Sequence, residues 1–368
     1  MKILFFTDPH LNVKKFNHLT PEGVPARASE FVQVFDWMKE LCEERNIDRV
    51  VCGGDVFNSV HDLKMPFFNL AFFALDRLDV RVDLLDGNHD KYDAVYRPLD
   101  PFNKLGRVWA EPDSYWDNML ERNVVMLPFQ RDLQEAKKVV KKLLKKKEDT
   151  IVFMHQGITG LFPDDLAYDP AMFAADHVDR IFAGHYHFPY DQDKIISPSS
   201  LFALNFGDSI DESRYVLIYD TKTGEVEKVE NTLACGFLPL TNNQLADVKD
   251  EIEEIAPYTY LRLLLKPGEK LSLETSFLHT FRGYEITKEG KKKKKKEAKF
   301  QVDYSQEAPE DLDISDLRGS GDSNLAGDLT AEEFKELIIK FNKDKDLLDT
   351  AEAKADEVIE EAYLLGKV

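Results

Sequence analysis

The sequence predicts a layered α/β protein, and two observations support this. In residues 1–235, short runs rich in β-branched and aromatic residues alternate with amphipathic helical segments, a pattern typical of sheets covered by helices. Several of these runs are followed directly by residue types that bind metals, at the position where α/β sheets keep their functional sites. With 368 residues, the chain is long enough for one large domain and smaller additions.

The elements predicted for residues 1–235 follow one another along the chain. Residues 2–7 are predicted to form the first strand. Residues 29–44 are predicted to form a core-facing helix, because Phe31, Phe35 and Met38 recur at helical spacing. The other strands are predicted at residues 49–52, 80–85, 123–127, 150–154, 180–183, 214–219 and 225–229.

Beyond residue 235 the composition changes three times. Residues 236–304 predict a small α+β capping domain, with an extended run at 258–265 that ends at a Lys-Pro-Gly turn. Residues 305–328 are rich in Asp, Glu, Gly and Ser, which predicts a flexible acidic linker. Residues 329–368 predict a helical tail, in which Thr330 and Glu333 form a capping box before an apolar stripe. For this tail, docking on a partner protein is favoured over folding back on its own domain.

The charge is strongly acidic and unevenly distributed. The net charge is −20, and residues 297–368 contribute −12 of it through 20 acidic and 8 basic residues. Because DNA affinity depends on Lys and Arg, this negative charge argues against nucleic-acid binding. A DNA-binding surface is still compatible with the charge of the remaining chain, to which bound divalent cations would add positive charge. The lysine run 291–296 is more simply a solvated loop than a phosphate-binding one. Basic residues near the motifs, which could contact phosphates but are more simply solvated, are Lys14, Lys15, Arg27, Lys64 and Lys91.

We expect a soluble, cytoplasmic protein, located in the host cytoplasm if it is phage-encoded. No run of apolar residues approaches the length of about eighteen that a membrane span needs, and the first residues lack a signal-peptide pattern. Cys42, Cys52 and Cys235 are far apart and form no C-x-x-C pair, so we expect buried free thiols.

Metal-type ligands occur at or just after predicted strands. They lie in Asp8-Pro9-His10, Gly54-Asp55, Gly87-Asn88-His89-Asp90, His155 and Gly184-His185-Tyr186-His187. Residues two apart on an extended backbone point the same way, so the first and the last segment can each present a pair of ligands. Two such pairs indicate two metals. Carboxylate, imidazole and amide oxygen together suit manganese, iron or zinc better than calcium.

Such a centre predicts phosphoester hydrolysis. Asp55 is the candidate to bridge two cations, which stand about 3.5 to 4 Å apart in two-metal hydrolases. The cations would ionise a water near neutral pH and neutralise charge on the phosphoryl oxygens. His89 is the candidate general acid toward the leaving oxygen, with Asp90 or another carboxylate orienting it. Each motif alone also occurs by chance, but their joint occurrence in this order makes coincidence improbable.

The ordered set DPH, GGD, GNHD, MHQG and AGHYH resembles the calcineurin-like metallophosphoesterase superfamily. That resemblance implies a four-layer metallophosphoesterase fold, in which two mixed β-sheets are sandwiched by helices. GGDVFNS, IISPSSLFALNFGD and RYVLIYD are in addition similar to SbcD-type nucleases, the bacterial and phage relatives of the eukaryotic meiotic-recombination nuclease. The resemblance covers residues 1–235 through motifs, weakens in the capping domain and returns loosely in the tail.

The resemblance implies two sets of metal ligands and a catalytic histidine, His89. The two sets are Asp8, His10, Asp55 and His187 for one metal, and Asp55, Asn88, His155 and His185 for the other. It also implies a manganese-dependent hydrolase that degrades double-stranded DNA ends as a 3'-5' exonuclease. As an endonuclease it would cut single strands and hairpins, in DNA repair and recombination.

The resemblance further implies two protein partners. One is an SbcC-type coiled-coil ATPase, bound through the C-terminal helices. The other is a second copy of the chain, bound through a helix at residues 65–78 that contains Phe67, Phe68, Phe72 and Phe73, although ordinary core packing also explains these phenylalanines. One departure from the nuclease pattern is Asn58, where relatives often carry a histidine associated with engaging the DNA end. The balance of exonuclease and endonuclease activity is therefore left open.

Two other functions remain as alternatives. The first is a phosphatase or phosphodiesterase of the same superfamily that acts on a small phosphoester, although the GDxVDRG signature of its protein phosphatases is lacking here. An appended domain and tail would also be unnecessary for a small substrate. The second is a catalytically idle scaffold that holds DNA ends, which the complete ligand set and His89 argue against.

Overall fold

The computed structural model describes residues 1–11, 25–91, 97–145, 148–161, 167–206 and 213–288. The predicted linker, the helical tail, the lysine run and Lys14 and Lys15 lie outside these described residues. The described residues form two units. The first comprises residues 1–204 and 213–235, and the second comprises residues 205–206 and 236–288.

The first unit contains short strands and longer helices. Its elements in chain order are β1 (Lys2–Phe6), α1 (Ala26–Arg45), β2 (Arg49–Cys52), α2 (Met65–Asp76), β3 (Arg81–Leu85), β4 (Val108–Trp109), β5 (Asp113–Asp117), β6 (Arg122–Leu127), α3 (Leu133–Leu143), β7 (Thr150–Met154), β8 (Gly157–Ile158), β9 (Ala167–Tyr168), β10 (Val178–Ala183), β11 (Pro189–Gln192), β12 (Ile195–Pro198), β13 (Tyr215–Asp220) and β14 (Val226–Glu230).

Two mixed sheets dominate the described part of this unit, which confirms the predicted α/β fold. The first six-stranded sheet has the order β14-β13-β1-β2-β3-β4, and the second has the order β11-β12-β10-β7-β6-β5. In each sheet four neighbouring strands are parallel, and the others pair antiparallel at the edges. The carboxyl ends of the parallel strands therefore meet at one edge of each sheet, which is where ligands bind in α/β folds.

The core lies between the two sheets and is rich in aromatic side chains. Phe5 of the first sheet contacts Phe153 and Phe182 of the second, with ring centroids 5.8 and 5.6 Å apart. In β6, Val124 and Met126 face this core, whereas Val125 and Leu127 face α3 on the opposite side. Because alternate residues of a strand face opposite sides, one strand serves both layers. Burying each such side chain contributes about 1.5 to 3 kcal/mol.

Helices cover the outer faces of both sheets. On the first sheet, the ring of Phe6 in β1 packs 5.6 Å from that of Phe35 in α1. On the second sheet, α3 packs through Leu133, Ala136 and Val140. Helix, sheet, sheet and helix together make the four layers that the family resemblance implied.

A buried ion cluster joins the two sheets at the amino ends of their parallel strands. Arg49, the first residue of β2, lies with Nη2 2.8 Å from Asp117 Oδ2 of β5 and donates through Nη1 to the Tyr115 hydroxyl at 2.8 Å. Asp83 Oδ2 of β3 lies 3.9 Å from Arg49 Nε, and its Oδ1 accepts a 3.0 Å hydrogen bond from Arg81. Two guanidinium groups therefore balance two carboxylates at this end of the molecule.

The second unit is a small α+β arrangement. Its elements are β15 (Gly236–Thr241), α4 (Asn242–Asp247), α5 (Lys249–Ile252), β16 (Thr259–Leu265), α6 (Thr275–Leu278) and β17 (Gly283–Lys288). The three strands form a parallel sheet in the order β15-β16-β17. The Thr241 side chain caps α4 through a capping box with Gln244. β16 matches the extended run predicted at 258–265.

None of the helices in the described residues combines the length and the apolar composition that a membrane crossing requires. All three cysteines are free and buried, as the sequence predicted.

Candidate metal centre

The predicted ligand segments follow β1, β2, β3, β7 and β10, and the structure brings them together at one edge of the two sheets. Backbone hydrogen bonds join the segments after β1 and β2, because Asp8 N–H donates to Gly54 O and His10 N–H to Asp55 O, both at 3.0 Å. In the second sheet, Gly184 N–H donates to Met154 O at 2.8 Å. The sheets therefore hold the ligands through main-chain contacts.

At four of the seven predicted ligands the backbone is left-handed and not extended. The φ angles are 52° at Asp8, 43° at His10, 53° at Asp55 and 75° at His185. Such angles cost about 1 to 3 kcal/mol each in residues other than glycine, and they cluster at functional sites. The prediction assumed that paired ligands point together because the backbone is extended, and this assumption was wrong. The left-handed turns, stabilised by the contacts between segments, direct the side chains inward.

Three of the ligands form the first group. His10 Nε2 lies 3.2 Å from His187 Nε2 and 3.6 Å from Asp8 Oδ1, and His187 Nε2 lies 3.7 Å from the same carboxylate oxygen. Donor atoms that share a cation at about 2.0 to 2.2 Å stand roughly 3 to 3.6 Å apart. The first group therefore has the spacing of one metal position.

The second group contains Asp55, Asn88, His155 and His185. Asn88 Oδ1 lies 3.1 Å from His155 Nε2 and 3.0 Å from His185 Nδ1, and His155 Nε2 lies 3.4 Å from Asp55 Oδ2. Nδ1–H of His155 donates to Gly53 O at 2.6 Å, which turns Nε2 toward the centre. His185 and His187 thus lie in different groups, so they do not act as one ligand pair.

Each carboxylate presents one oxygen to the imidazoles and anchors the other. Asp8 Oδ2 accepts from the Thr7 hydroxyl at 2.5 Å and from His185 N–H at 2.9 Å, which leaves Oδ1 for the first group. Asp55 Oδ1 accepts from His89 N–H at 2.8 Å. Asp55 Oδ2 then lies 3.4 Å from both His10 Nε2 and His155 Nε2, between the two groups. This is the position that a bridging carboxylate requires.

Two glycines make room for this arrangement. A Cβ on Gly87 would lie 1.9 Å from Asp55 Oδ1, and a Cβ on Gly54 would lie 2.5 Å from His155 Nδ1. Gly54 also has a φ of 106°, which other residues rarely adopt. The side chains of Asp55 and His155 can therefore occupy their positions only beside glycine.

The fixed charges in the centre shift its pKa values. Burial alone raises the pKa of Asp8 and Asp55, but the imidazoles, His155 foremost, outweigh it and hold both pKa values below the ordinary 3.8. Burial lowers the pKa of His155, yet Asp55 and Asp8 raise it to about 9. Burial and then the charge of His155 lower the pKa of His185 to about 3. In the metal-free chain, His155 therefore carries a proton that a cation would displace.

The residues present fit two divalent cations. Asp8 and Asp55 are at most 1% exposed, and buried carboxylates need positive charge close by. Within the described residues, Asp8 Oδ1 has no hydrogen-bond partner although it faces two imidazoles. Two carboxylates, an amide and imidazoles converge without a thiolate, as borderline divalent ions prefer.

His89 lies at the open side of the centre. Its side chain is 33% exposed, and Nε2 lies 4.0 Å from Asp55 Oδ2. Nδ1–H donates to the main-chain carbonyl of Asn58 at 2.7 Å, which orients the ring. The departure from the nuclease pattern at Asn58 therefore does not remove the support of His89, since that support comes from a backbone atom.

Asp90 does not take the orienting role that the sequence suggested. Its carboxylate accepts hydrogen bonds from the backbone N–H groups of Val56, Phe57 and Gly87, each at 3.1 Å. Burial and then the charge of Asp55 raise its pKa to about 8. Asp90 thus joins the loops after β2 and β3, and the carbonyl of Asn58 orients His89 in its place.

Two of the basic residues near the motifs are structural and not solvated. Arg27 is buried, and its guanidinium lies 2.6 Å from Glu30 and donates to Ala203 O at 2.8 Å. Lys91 donates to Phe129 O at 2.5 Å and to Ala110 O at 3.3 Å. Lys64 is exposed, so it alone among the described members of this set remains available to a phosphate.

Sequence reasoning missed several supporting groups. Thr7 and the carbonyls of Gly53 and Asn58 hold ligands or His89 in place, as described above. Main-chain carbonyls carry no residue signal, so no pattern could have revealed them. Thr7 directly precedes a ligand, which is a weak indication at most. Arg214 donates to the main-chain carbonyl of His187, and nothing in the RYVLIYD stretch that contains it indicates this contact.

A family model described as calcineurin-like phosphoesterase matches residues 1–189. Among solved structures, an archaeal phosphodiesterase matches at 12% identity and a TM-score of 0.34, with 63% of this chain and 100% of that chain covered. The TT1561 protein of Thermus thermophilus matches at 12% identity and a TM-score of 0.42, with 62% and 98% covered. A dimetal phosphatase from Danio rerio matches at 14% identity and 0.36, with 54% and 87% covered. Structural similarity this weak says nothing about substrate.

Proposed function

The chain belongs to the calcineurin-like phosphoesterase family, and from this premise we propose that it is a two-metal DNA nuclease. Members of this family use a dimetal centre, and the chain is a metal-dependent phosphoester hydrolase. The observation that carries the proposal is the position of Asp55 Oδ2, 3.4 Å from an imidazole of each ligand group. We propose manganese as the metal and the ends, hairpins and single strands of DNA as substrates.

The residues around the centre divide the chemistry. When bound, the two cations supply Lewis acidity and positive charge at the phosphoester. Asp8, His10 and His187 would hold one, Asn88, His155 and His185 the other, and Asp55 both. His89 Nε2 faces the centre from its open side and would give a proton to the leaving oxygen, which contributes about 10²- to 10⁴-fold in rate.

Two features favour DNA over a small ester. The stretches GGDVFNS, IISPSSLFALNFGD and RYVLIYD are similar to those of SbcD-type nucleases. Beyond the matched residues 1–189 the chain also has a second unit, made mostly of residues from Gly236 onward, and a small ester would need no such addition. We therefore propose that residues 236–304 contact DNA and that the chain is the nuclease subunit of an SbcCD-type nuclease–ATPase complex in DNA end processing, repair and recombination.

Cleavage assays test the nuclease activity directly. End-labelled duplex, hairpin and single-stranded DNA are incubated with the purified chain in Mn²⁺, alongside p-nitrophenyl phosphate. His89→Ala is the test variant, and His177→Ala is the matched control, because His177 lies directly before β10, at the end of the parallel strands opposite to the ligands. We expect the parent and the control to cut DNA, and His89→Ala to bind Mn²⁺ normally but to cut at least about 100-fold more slowly.

The other outcomes separate the alternatives. Hydrolysis of p-nitrophenyl phosphate without cleavage of any DNA would replace the nuclease by a phosphatase. DNA binding with no hydrolysis of either substrate would indicate an idle scaffold. The products of the end-labelled duplex and hairpin would show the polarity of cleavage and the balance of exonuclease and endonuclease activity.

We also propose a homodimer that forms through α2. Within α2, Phe68 and Phe72 pack on the buried Phe102, with ring centroids 5.3 and 5.4 Å apart, so part of the phenylalanine cluster is ordinary packing. Met65 is nevertheless 63% exposed, and Phe73 is only half-buried. Light scattering of the Met65→Asp/Phe73→Asp variant should show a monomer where the parent is a dimer; an unchanged mass would contradict this interface.

The proposed partner of residues 329–368 is an SbcC-type coiled-coil ATPase. Co-purification of that ATPase with the full chain and with a chain ending at residue 328 tests this assignment. We expect binding to be lost on truncation while cleavage of short DNA by the isolated chain is retained. Equal binding by both chains would place the ATPase contact elsewhere.

A further inference from the structure

We propose that Arg214 is a positioning residue for the first metal position, acting through His187. Arg214 lies directly before β13 and is 3% exposed. Its Nη1 donates to the main-chain carbonyl of His187 at 2.5 Å and to Ser200 Oγ at 3.0 Å. The guanidinium thus holds the backbone of a ligand whose imidazole belongs to the first group.

His187 needs such support because it lies on a loop and not within a strand. It follows the end of β10 and precedes β11, and the imidazole reaches His10 Nε2 at 3.2 Å. A ligand on a loop holds its imidazole in place only if its backbone is held, and partners behind the ligands typically change metal affinity 10- to 100-fold. A hydrogen bond from a buried guanidinium group to a main-chain carbonyl is strong and directional.

Arg214 also connects this loop to the Asp8 segment. Ser200 follows Ser199, whose φ is 85°, and precedes Leu201, whose N–H donates to Thr7 O at 2.9 Å. Asn231 holds the backbone on either side, because its N–H donates to Arg214 O at 2.7 Å and its Nδ2 to Leu201 O at 2.8 Å. One guanidinium therefore fixes the ligand loop against the segment that carries the carboxylate of the same group.

Arg49 provides a matched control within the same two sheets. It is similarly buried, at 6% exposed, but lies at the amino ends of the parallel strands and binds Asp117 and Tyr115. Removing Arg49 should therefore cost stability and leave the metal centre unchanged. A general effect of losing a buried arginine would appear in both variants, and a positioning effect only in Arg214 variants.

The test is a calorimetric Mn²⁺ titration of the metal-free full chain, carried out where circular dichroism shows each variant to be folded. For Arg214→Met we expect one of two Mn²⁺ ions to bind 10- to 100-fold more weakly and the other as in the parent. Arg214→Lys keeps the charge but cannot reproduce the planar guanidinium contacts, so we expect an intermediate loss at the same position. Arg49→Met should bind both ions as the parent does.

Three results would overturn the positioning role. They are parent-like binding of both ions by Arg214→Met, equal weakening of both ions, and the same weakening in Arg49→Met at a similar loss of stability. If Arg214→Met does not fold, Arg214→Lys decides by the same criteria. The readout is metal affinity and not DNA cleavage, so it is independent of the proposed nuclease activity.

Discussion

Two buried polar clusters lie at opposite ends of the same pair of sheets, and they differ in how their charge is balanced. At the amino ends, Asp83 and Asp117 face Arg49 and Arg81, whose guanidinium groups keep their protons at every ordinary pH. At the carboxyl ends, Asp8 and Asp55 face imidazoles only a few ångströms away. The first cluster is neutral without any addition, whereas the second can exchange protons for cations.

The backbone conformation also differs between the two ends of the sheets. Four ligands at the metal centre have left-handed φ angles, whereas Arg49, Asp83 and Asp117 lie within regular strands. Strain of this kind persists only where the surrounding contacts hold it. The guanidinium–carboxylate cluster therefore stabilises the contact between the two sheets, whereas the imidazole–carboxylate cluster serves chemistry at a cost in stability.

The largest effect is expected for Asp55→Asn. Losing the bridging charge weakens both metal positions, and the lost cations are worth several kcal/mol of transition-state stabilisation, or about 10⁴-fold in hydrolysis rate. The amide still accepts from His89 N–H, so the unfolding midpoint of the metal-free variant should stay close to that of the parent. Rate assays and thermal unfolding in EDTA measure the two quantities, and a large loss of stability with little loss of rate would reverse the comparison.

At the opposite end of the sheets, Arg49→Met should lower the stability of the fold and leave the hydrolysis rate unchanged. Asp117 would be left buried without its partner, which costs about 3 to 5 kcal/mol of unfolding free energy. Urea denaturation in EDTA measures this loss, and the hydrolysis rate of the folded variant should remain that of the parent. A lowered rate at full folding would show that the two ends are coupled.

Binding of Mn²⁺ should stabilise the fold by about 2.7 kcal/mol per position at 100 times the dissociation constant. This stabilisation by Mn²⁺ should increase with pH. The pKa of His155 is raised from 6.5 to about 9 in the metal-free fold, so its protonation stabilises the metal-free chain below pH 6.5, and this stabilisation is lost as pH rises to 9. Because Mn²⁺ displaces that proton, the shift in unfolding temperature on adding Mn²⁺ should be larger at pH 8.5 than at pH 6.5.

The smallest effect is expected for a pair of single hydrogen bonds. Thr7→Val removes the hydroxyl that anchors Asp8 Oδ2, and Mn²⁺ affinity should fall about tenfold, or 1.4 kcal/mol. Tyr115→Phe removes the phenol that accepts from Arg49, and it should leave Mn²⁺ affinity unchanged while lowering stability. Titration of both variants checks this, and equal affinities would mean that the Thr7 hydroxyl does not position Asp8.

Most of the longer strands of the first unit were predictable from the sequence, including β13 and the edge strand β14, which begin and end one residue after the predicted bounds. The edge strands β5 and β11 and the buried strand β12 were not predicted. β2 and β7 lie at the predicted residues, and β1, β3, β6 and β10 differ from the prediction by one or two residues at an end. These strands contain runs of consecutive apolar residues, because both their faces are buried. The two-residue strands β4, β8 and β9 are too short to show a period, and β11, with the sequence PYDQ, is largely exposed. Such edges exist only because a neighbouring strand supplies the hydrogen bonds.

The sequence by itself determined the chemistry of the centre: which ligand types are present, in what order, and after which strands. Residue spacing paired His185 with His187, whereas the family resemblance assigned them to different metals that share Asp55. The structure places the two histidines in different groups, and it gives the distances that put Asp55 Oδ2 between the two groups. It also decided that the carbonyl of Asn58 orients His89, while Asp90 joins two loops. The physical reason is that each residue type fixes the chemistry of its side chain. Main-chain contacts and distances between remote segments, in contrast, arise only when the two sheets pack together.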